Sequence, residues 1–159
     1  MKIQEAIMRK NSLETKLKNT VESFEFIPDK NNPSSGEKDL KDLISKSFGI
    51  LSQYIELQTT IALKNSQVKV EFNSKVMTLI ELILHIKMLK KRIDVLKEIK
   101  SEIQDDYDIY GHPKDEQEAA ILYEKRKLVE IVDNQIESIK EELRNAQTVL
   151  EKTNWTENI

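Results

Sequence analysis

The chain of 159 residues contains no cysteine, three glycines, three prolines, two histidines and only 6% aromatic residues. Without cysteine there can be no structural disulfide, no thiolate metal site and no cysteine nucleophile. So little glycine and proline argues against the turn-rich chains of sandwiches and barrels. No apolar run is long enough for a bilayer span, which needs about 20 mostly apolar residues. The greasiest stretch, Val76 to Ile99, is interrupted by Glu81, His85, Lys87, Lys90, Lys91 and Arg92. Near the start, Lys2, Glu5, Arg9 and Lys10 leave no room for the apolar centre of a secretory signal, so a cytoplasmic location is expected. The net charge of −3 gives no electrostatic case for nucleic acid or for an anionic membrane.

What the chain has is charge and apolar side chains in helical rhythm. Charged residues make up 33% and apolar residues 38%, a balance typical of long helices that pack on one another. The clearest signal runs from Leu122 to Thr153. One seam position holds Leu122, Val129, Ile136, Leu143 and Leu150; the other holds Lys125, Val132, Ile139, Ala146 and Thr153. This 4-3 spacing predicts one narrow stripe facing another helix. Leu122, Val129, Val132, Ile136, Ile139, Leu143 and Leu150 are therefore the expected packing or oligomer seam, with Trp155 as an apolar anchor at its end.

Three further helices are predicted. The first spans about Lys2 to Phe24, with Ile3, Ala6, Leu13, Leu17, Val21 and Phe24 on one face, and it cannot pass Pro28. Pro28 to Gly36 reads as a linker. The second spans about Glu37 to Lys64, with a broad face of Leu40, Leu43, Ile44, Phe48, Leu51, Tyr54, Ile55 and Ile61; Gly49 inside it suggests close helix approach. Val68 to Phe72 alternates apolar and charged residues like a strand, closed by Asn73-Ser74. The third helix spans about Lys75 to Gln104. It has one seam of Leu79, Leu82, Ile86, Leu89, Ile93, Leu96, Lys100 and Ile103, and a second stripe of Ile80, Ile83, Leu84, Met88, Val95 and Ile99. Two stripes predict two packing partners and the most buried helix of the four. Thr78 with Glu81, and Asp115 with Glu118, have capping-box spacing. A fourth helix from Asp115 to Thr153 would be about 58 Å long and would overhang the others, which favours self-association.

Residues that carry chemistry are few. His85 and His112 belong to no metal-binding or triad-like pattern, and a packing or solvated role is expected for each. Asp106 to Gly111 imitates the start of a calcium loop, but position 12 is Gln117 where calcium loops carry a bidentate glutamate. The basic residues between Lys87 and Lys100 lack interleaved aromatics and are diluted by Asp94 and Glu98, so pairing with acidic neighbours is expected rather than nucleic-acid binding. Asn154-Trp155-Thr156 fits a glycosylation sequon on three residues alone. No phosphate loop, dinucleotide fingerprint or nucleophile elbow is present.

The chain opens Met1-Lys2-Ile3-Gln4-Glu5-Ala6-Ile7, carries Lys90-Lys91-Arg92-Ile93 followed by Val95-Leu96-Lys97-Glu98-Ile99, and closes Leu150-Glu151-Lys152-Thr153-Asn154-Trp155-Thr156-Glu157-Asn158-Ile159. In order and spacing it resembles the septicolysin-like family of small bacterial helical proteins over nearly its full length. It departs from the family pattern at Ile61 to Asn65 and at Ile86-Lys87. The resemblance implies an extended segment near Ile121 to Glu124 that would pair with Val68 to Phe72. The family name implies a cytolysin, but it supplies no catalytic residue to carry over.

The expectation is an all-α chain, residues 1–159 as one antiparallel four-helix bundle with a long coiled-coil-like last helix and room for one two-stranded ribbon. Loops fall near 25–36, 65–74 and 105–114. The expected function is non-catalytic self-assembly into a homo-oligomer, with no cofactor, no metal, no nucleic acid and no partner but itself. The alternative, which the family name implies, is a membrane-active toxin.

Overall fold

A computed structural model describes residues 1–24, 35–104 and 113–159. Most of the Pro28–Gly36 linker, the Asp106–Gly111 calcium-loop candidate and His112 lie outside the described residues. The elements are α1 (Ile3–Glu22), α2 (Ser35–Gln67), β1 (Lys69–Phe72), β2 (Lys75–Thr78), α3 (Leu79–Gln104) and α4 (Glu116–Thr156). Helices dominate, joined by one short antiparallel ribbon. None of the described helices is long and apolar enough to cross a membrane. The residues form two compact units, Met1–Lys69 with Glu151–Ile159, and Val70–Leu150.

In the first unit α1 lies against α2. Along α1 the inward residues are Ile3, Ala6, Lys10, Leu13, Leu17, Thr20 and Phe24; along α2 they are Leu43, Ser47, Ile50, Tyr54, Leu57 and Ile61. Both series step by alternating threes and fours, the period that keeps one stripe of a helix turned to one neighbour. Ile3 and Ala6 are fully buried, and sealing one such isoleucine from water contributes about 1.5–3 kcal/mol. Lys10 extends its ammonium over the Tyr54 ring, 5.8 Å from the centroid.

The same unit holds the ends of the described chain together. The Ile3 amide donates to the Glu157 carbonyl at 3.0 Å, the Ile159 amide donates to the Met1 carbonyl at 3.0 Å, and Lys2 pairs with Asn158 as an antiparallel bridge. Lys2 Nζ donates to the Thr156 carbonyl at 2.6 Å, placing a cation on the negative C-terminal end of α4. Lys64 closes the cluster with an ion pair to Glu157 at 3.4 Å. Glu5 accepts the Lys2 amide at 2.7 Å, which satisfies an N–H left free before the first turn of α1.

In the second unit Ile93, Val132 and Ile136 form a buried cluster, extended by Leu96, Ile103, Ile139 and Leu143. The α3 seam runs Leu79, Leu82, Ile86, Leu89 and Ile93, all buried. Lys100 binds both oxygens of Asp133, at 2.7 and 2.9 Å. At its N-terminus α3 is capped as its sequence predicts. The Glu81 carboxylate accepts the Thr78 amide at 2.6 Å and the Thr78 hydroxyl at 2.8 Å, while the Glu81 amide donates back to that hydroxyl at 3.3 Å. The Glu118 amide donates to Asp115 at 2.8 Å as expected, but the Glu118 carboxylate takes the Lys114 amide instead of the Asp115 amide.

Several expectations are corrected. The partner of β1 is β2, the adjacent segment, because Asn73 and Ser74 both take positive φ (51° and 59°) and so make a two-residue hairpin turn. Consequently α3 begins at Leu79 rather than Lys75. Ile121 to Glu124 is helical and pairs with no strand. Ser35 and Gly36 belong to α2, not to the linker. Gly49 marks no close approach: a Cβ built there meets nothing within 4 Å. Val21 is 53% exposed, one step off the α1 seam.

Gly49→Ala should therefore stabilise the chain by about 0.5–1 kcal/mol through helix propensity alone, read as a shift in the denaturation midpoint. The hydrogen bond from the Thr78 amide, aided by the Thr78 hydroxyl, lowers the Glu81 pKa below the usual glutamate range. A depressed carboxylate contributes stability in full above its unfolded pKa and loses it as pH falls through the folded value. The melting-temperature gap between wild type and Glu81→Gln should be widest at neutral pH and close as pH drops through the acid range. An unchanged gap would contradict the cap.

Candidate functional site

The candidate seam sits inside the chain. Leu122, Val129, Val132 and Ile136 are buried, and Ile139, Leu143 and Leu150 are half-buried. Trp155 does not pack into that seam within the single chain: it is 55% exposed, while the preceding Asn154 is buried. One residue is a 100° turn of an α-helix, so the seam that passes Ala146, Leu150 and Asn154 carries Trp155 outward.

Large apolar residues are instead exposed on faces turned away from these seams. On α2 the broad face divides in two. Leu43, Tyr54 and Ile61 turn inward, but Leu40, Ile44, Phe48, Leu51 and Ile55 are 39–65% exposed. These five step by four, four, three and four residues, so they line up on one side of the helix. A shallow cavity lined by Ile55, Gln58, Thr59, Ala62 and Leu63 continues the stripe toward the end of α2. On α3 the second stripe is also uncovered: Ile80, Leu84, Met88, Val95 and Ile99 are each exposed by about two-fifths or more. The expectation that this whole stripe would be packed is thus corrected, although α3 still carries Leu79, Leu82 and Leu89, three of the four largest fully buried side chains. Within the unit α3 packs on α4 through the Ile93 cluster and meets the ribbon where His85 lies against Phe72.

The second stripe of α3 borders a groove. Met88, Val95 and Leu96 form its floor with Ile139 of α4, and Lys91, Arg92 and Gln135 stand around it. The basic residues were legible in the sequence, but their position beside an open apolar groove depends on which face of α3 the α4 seam takes.

His85 lies at a polar contact. Its Nε2 is 2.8 Å from Glu142 Oε1, the same oxygen receives the Asn73 side-chain amide at 3.4 Å, and the imidazole tilts against the buried Phe72 ring at 5.6 Å between centroids. One carboxylate of α4 thereby ties α3 to the hairpin turn. No spacing in the sequence joins residues 73, 85 and 142. Among the described residues no three histidine, cysteine or acidic side chains converge as a metal site. Glu137 has its pKa lowered by the hydrogen bond and charge of Lys140, a surface pair one turn apart.

Comparison with protein-family models, with curated proteins and with solved structures gives no match.

The His85–Glu142 contact is built as a tie, and a double-mutant cycle measures it. His85→Ala and Glu142→Ala should show a coupling of about 0.5–1 kcal/mol in chemical denaturation. Additivity within error would mean that the three groups meet without holding one another.

Proposed function

We propose that this chain is a non-catalytic helical protein that assembles with copies of itself, and that the outer stripe of α2 is the surface of assembly. The observation that carries the reading is the set Leu40, Ile44, Phe48, Leu51 and Ile55, exposed in one file. From Leu40 to Leu63 the stripe is about 35 Å long. Contiguous apolar surface of this kind marks an interaction site. Its steps of three and four residues favour a second helix as the covering element, and a second copy of α2 brings a stripe of the same period. Beside the start of the stripe Lys41 pairs with Glu37, so both signs of charge stand there.

The helices of each unit pair in antiparallel, coiled-coil-like fashion. In the second unit the later α3 residue Lys100 meets the earlier α4 residue Asp133, while the earlier His85 meets the later Glu142. In the first unit the cleft near the start of α2 is lined by Lys16, Asn19, Asp39 and Asp42, and the one nearer its end by Arg9, Gln53 and Glu56. Both patterns support helices that run in opposite directions.

Light scattering after size exclusion should give a mass well above 18.6 kDa at micromolar concentration. Phe48→Glu should return the monomer mass, because it puts a carboxylate into an interface where unpaired burial costs several kcal/mol. Its helical circular dichroism should be unchanged, since Phe48 is 65% exposed in the single chain. A monomeric wild type would sink the proposal. Dye release from liposomes by the wild type, lost in Phe48→Glu, would put membrane activity in its place.

A further inference from the structure

We propose that the groove between α3 and α4 in the second unit receives an amphipathic helix of a partner protein that carries acidic residues beside its apolar stripe. The floor is apolar: Met88, Val95 and Leu96 on α3, and Ile139 on α4. Leu84 and Ile99 prolong the α3 side, so Leu84, Met88, Val95 and Ile99 are spaced by four, seven and four residues. That is i, i+4, i+11 and i+15, one file along a single face of α3 in the 3.5-residue register that a second helix laid alongside would share. These four are 39–57% exposed, so a partner would remove real apolar surface from water.

Charge selects the occupant. Between Lys87 and Lys100 there are six basic residues and two acidic ones. Lys100 is engaged with Asp133, whereas Lys91 and Arg92 stand at the groove with no ion pair to any described residue. Carboxylates flanking the apolar stripe of an incoming helix would find these cations. A second copy of the same groove would instead bring Lys91 and Arg92 toward their own kind, where like charges across an interface cost affinity and suppress pairing. An anionic membrane would also meet the cations, but a bilayer surface is flat. Here the lining comes from two helices, Met88, Val95 and Leu96 from α3 and Gln135 and Ile139 from α4, so a rod laid along them touches both.

This inference is independent of the α2 assembly surface and is tested on different residues. The probe is a synthetic helical peptide with leucines at i, i+4, i+7 and i+11 and glutamates at the flanking positions. Its control has lysines in place of the glutamates. Titrated into 15N-labelled full chain, the glutamate peptide should shift the amides of Met88, Val95 and Ile139. The lysine peptide should bind at least tenfold more weakly. Lys91→Glu with Arg92→Glu should reverse that preference, and because both residues are exposed its circular dichroism should match wild type. The proposal fails if both peptides bind equally, if shifts fall on α2 instead, or if neither binds. It fails equally if those amides move only with phosphatidylserine vesicles, or with protein concentration in the absence of peptide. The first of these last two outcomes would assign the face to a membrane and the second to another copy of the chain.

Discussion

Alternation of three- and four-residue steps is the constraint on which this molecule is built. An α-helix turns 3.6 residues per revolution, so a repeat averaging 3.5 gives each helix a single slowly winding stripe. In α1 the stripe is Ile3 through Phe24, in α2 Leu43 through Ile61, in α3 Leu79 through Ile103, and in α4 Leu122 through Asn154. A stripe so narrow can satisfy one neighbour and no more. Each helix turns one file inward, and on α2 and α3 many apolar residues off that file face out. The exposed files of α2 and α3 follow from this geometry rather than from any fault in packing.

The polar contacts are distributed to fit. Tertiary ties occur where seams meet other elements: Lys100 with Asp133, His85 with Glu142, and Lys64 with Glu157. Each is partly exposed, so each fixes register more than it adds stability. Short helical pairs such as Lys18 with Glu22 and Lys140 with Glu137 decorate the solvent faces. No described polar network lies deep in an apolar seam. Two buried side-chain oxygens, Ser47 Oγ and Asn65 Oδ1, have no hydrogen-bond partner, and both sit on α2 in the first unit.

Four helices were legible in the sequence because the apolar period is strong and the breakers are sharp. The α3 and α4 caps were legible too, since Thr78-Glu81 and Asp115-Glu118 act within one turn. The hairpin was half legible. Alternation at Val68 to Phe72 was plain, but Lys75 to Thr78 reads as helix until the positive φ of Asn73 and Ser74 turns the chain back on itself. The two faces of α2 were merged, because Leu43 and Leu40, or Tyr54 and Ile55, look alike in a list of apolar positions. Only the burial of Ile50, which the broad face omitted, shows which file turns inward. The Asn73, His85 and Glu142 cluster and the groove beside Lys91 and Arg92 depend on helix rotation and tertiary contact, and no local spacing encodes them.

The bridge between Lys2 and Asn158 has a kinetic meaning. The bond from Lys2 to the Thr156 carbonyl joins residues 154 positions apart, a long loop to close. Closing a loop costs entropy that grows with the logarithm of its length, and nothing is gained until the contacts it brings together are made. Such a closure is favoured late, after local helices have shortened the effective path between its ends. By the same reasoning it is an early point of release when the protein unfolds. The clasp is therefore expected to close after the local helices, and exchange of the Ile3 and Ile159 amide protons would report it.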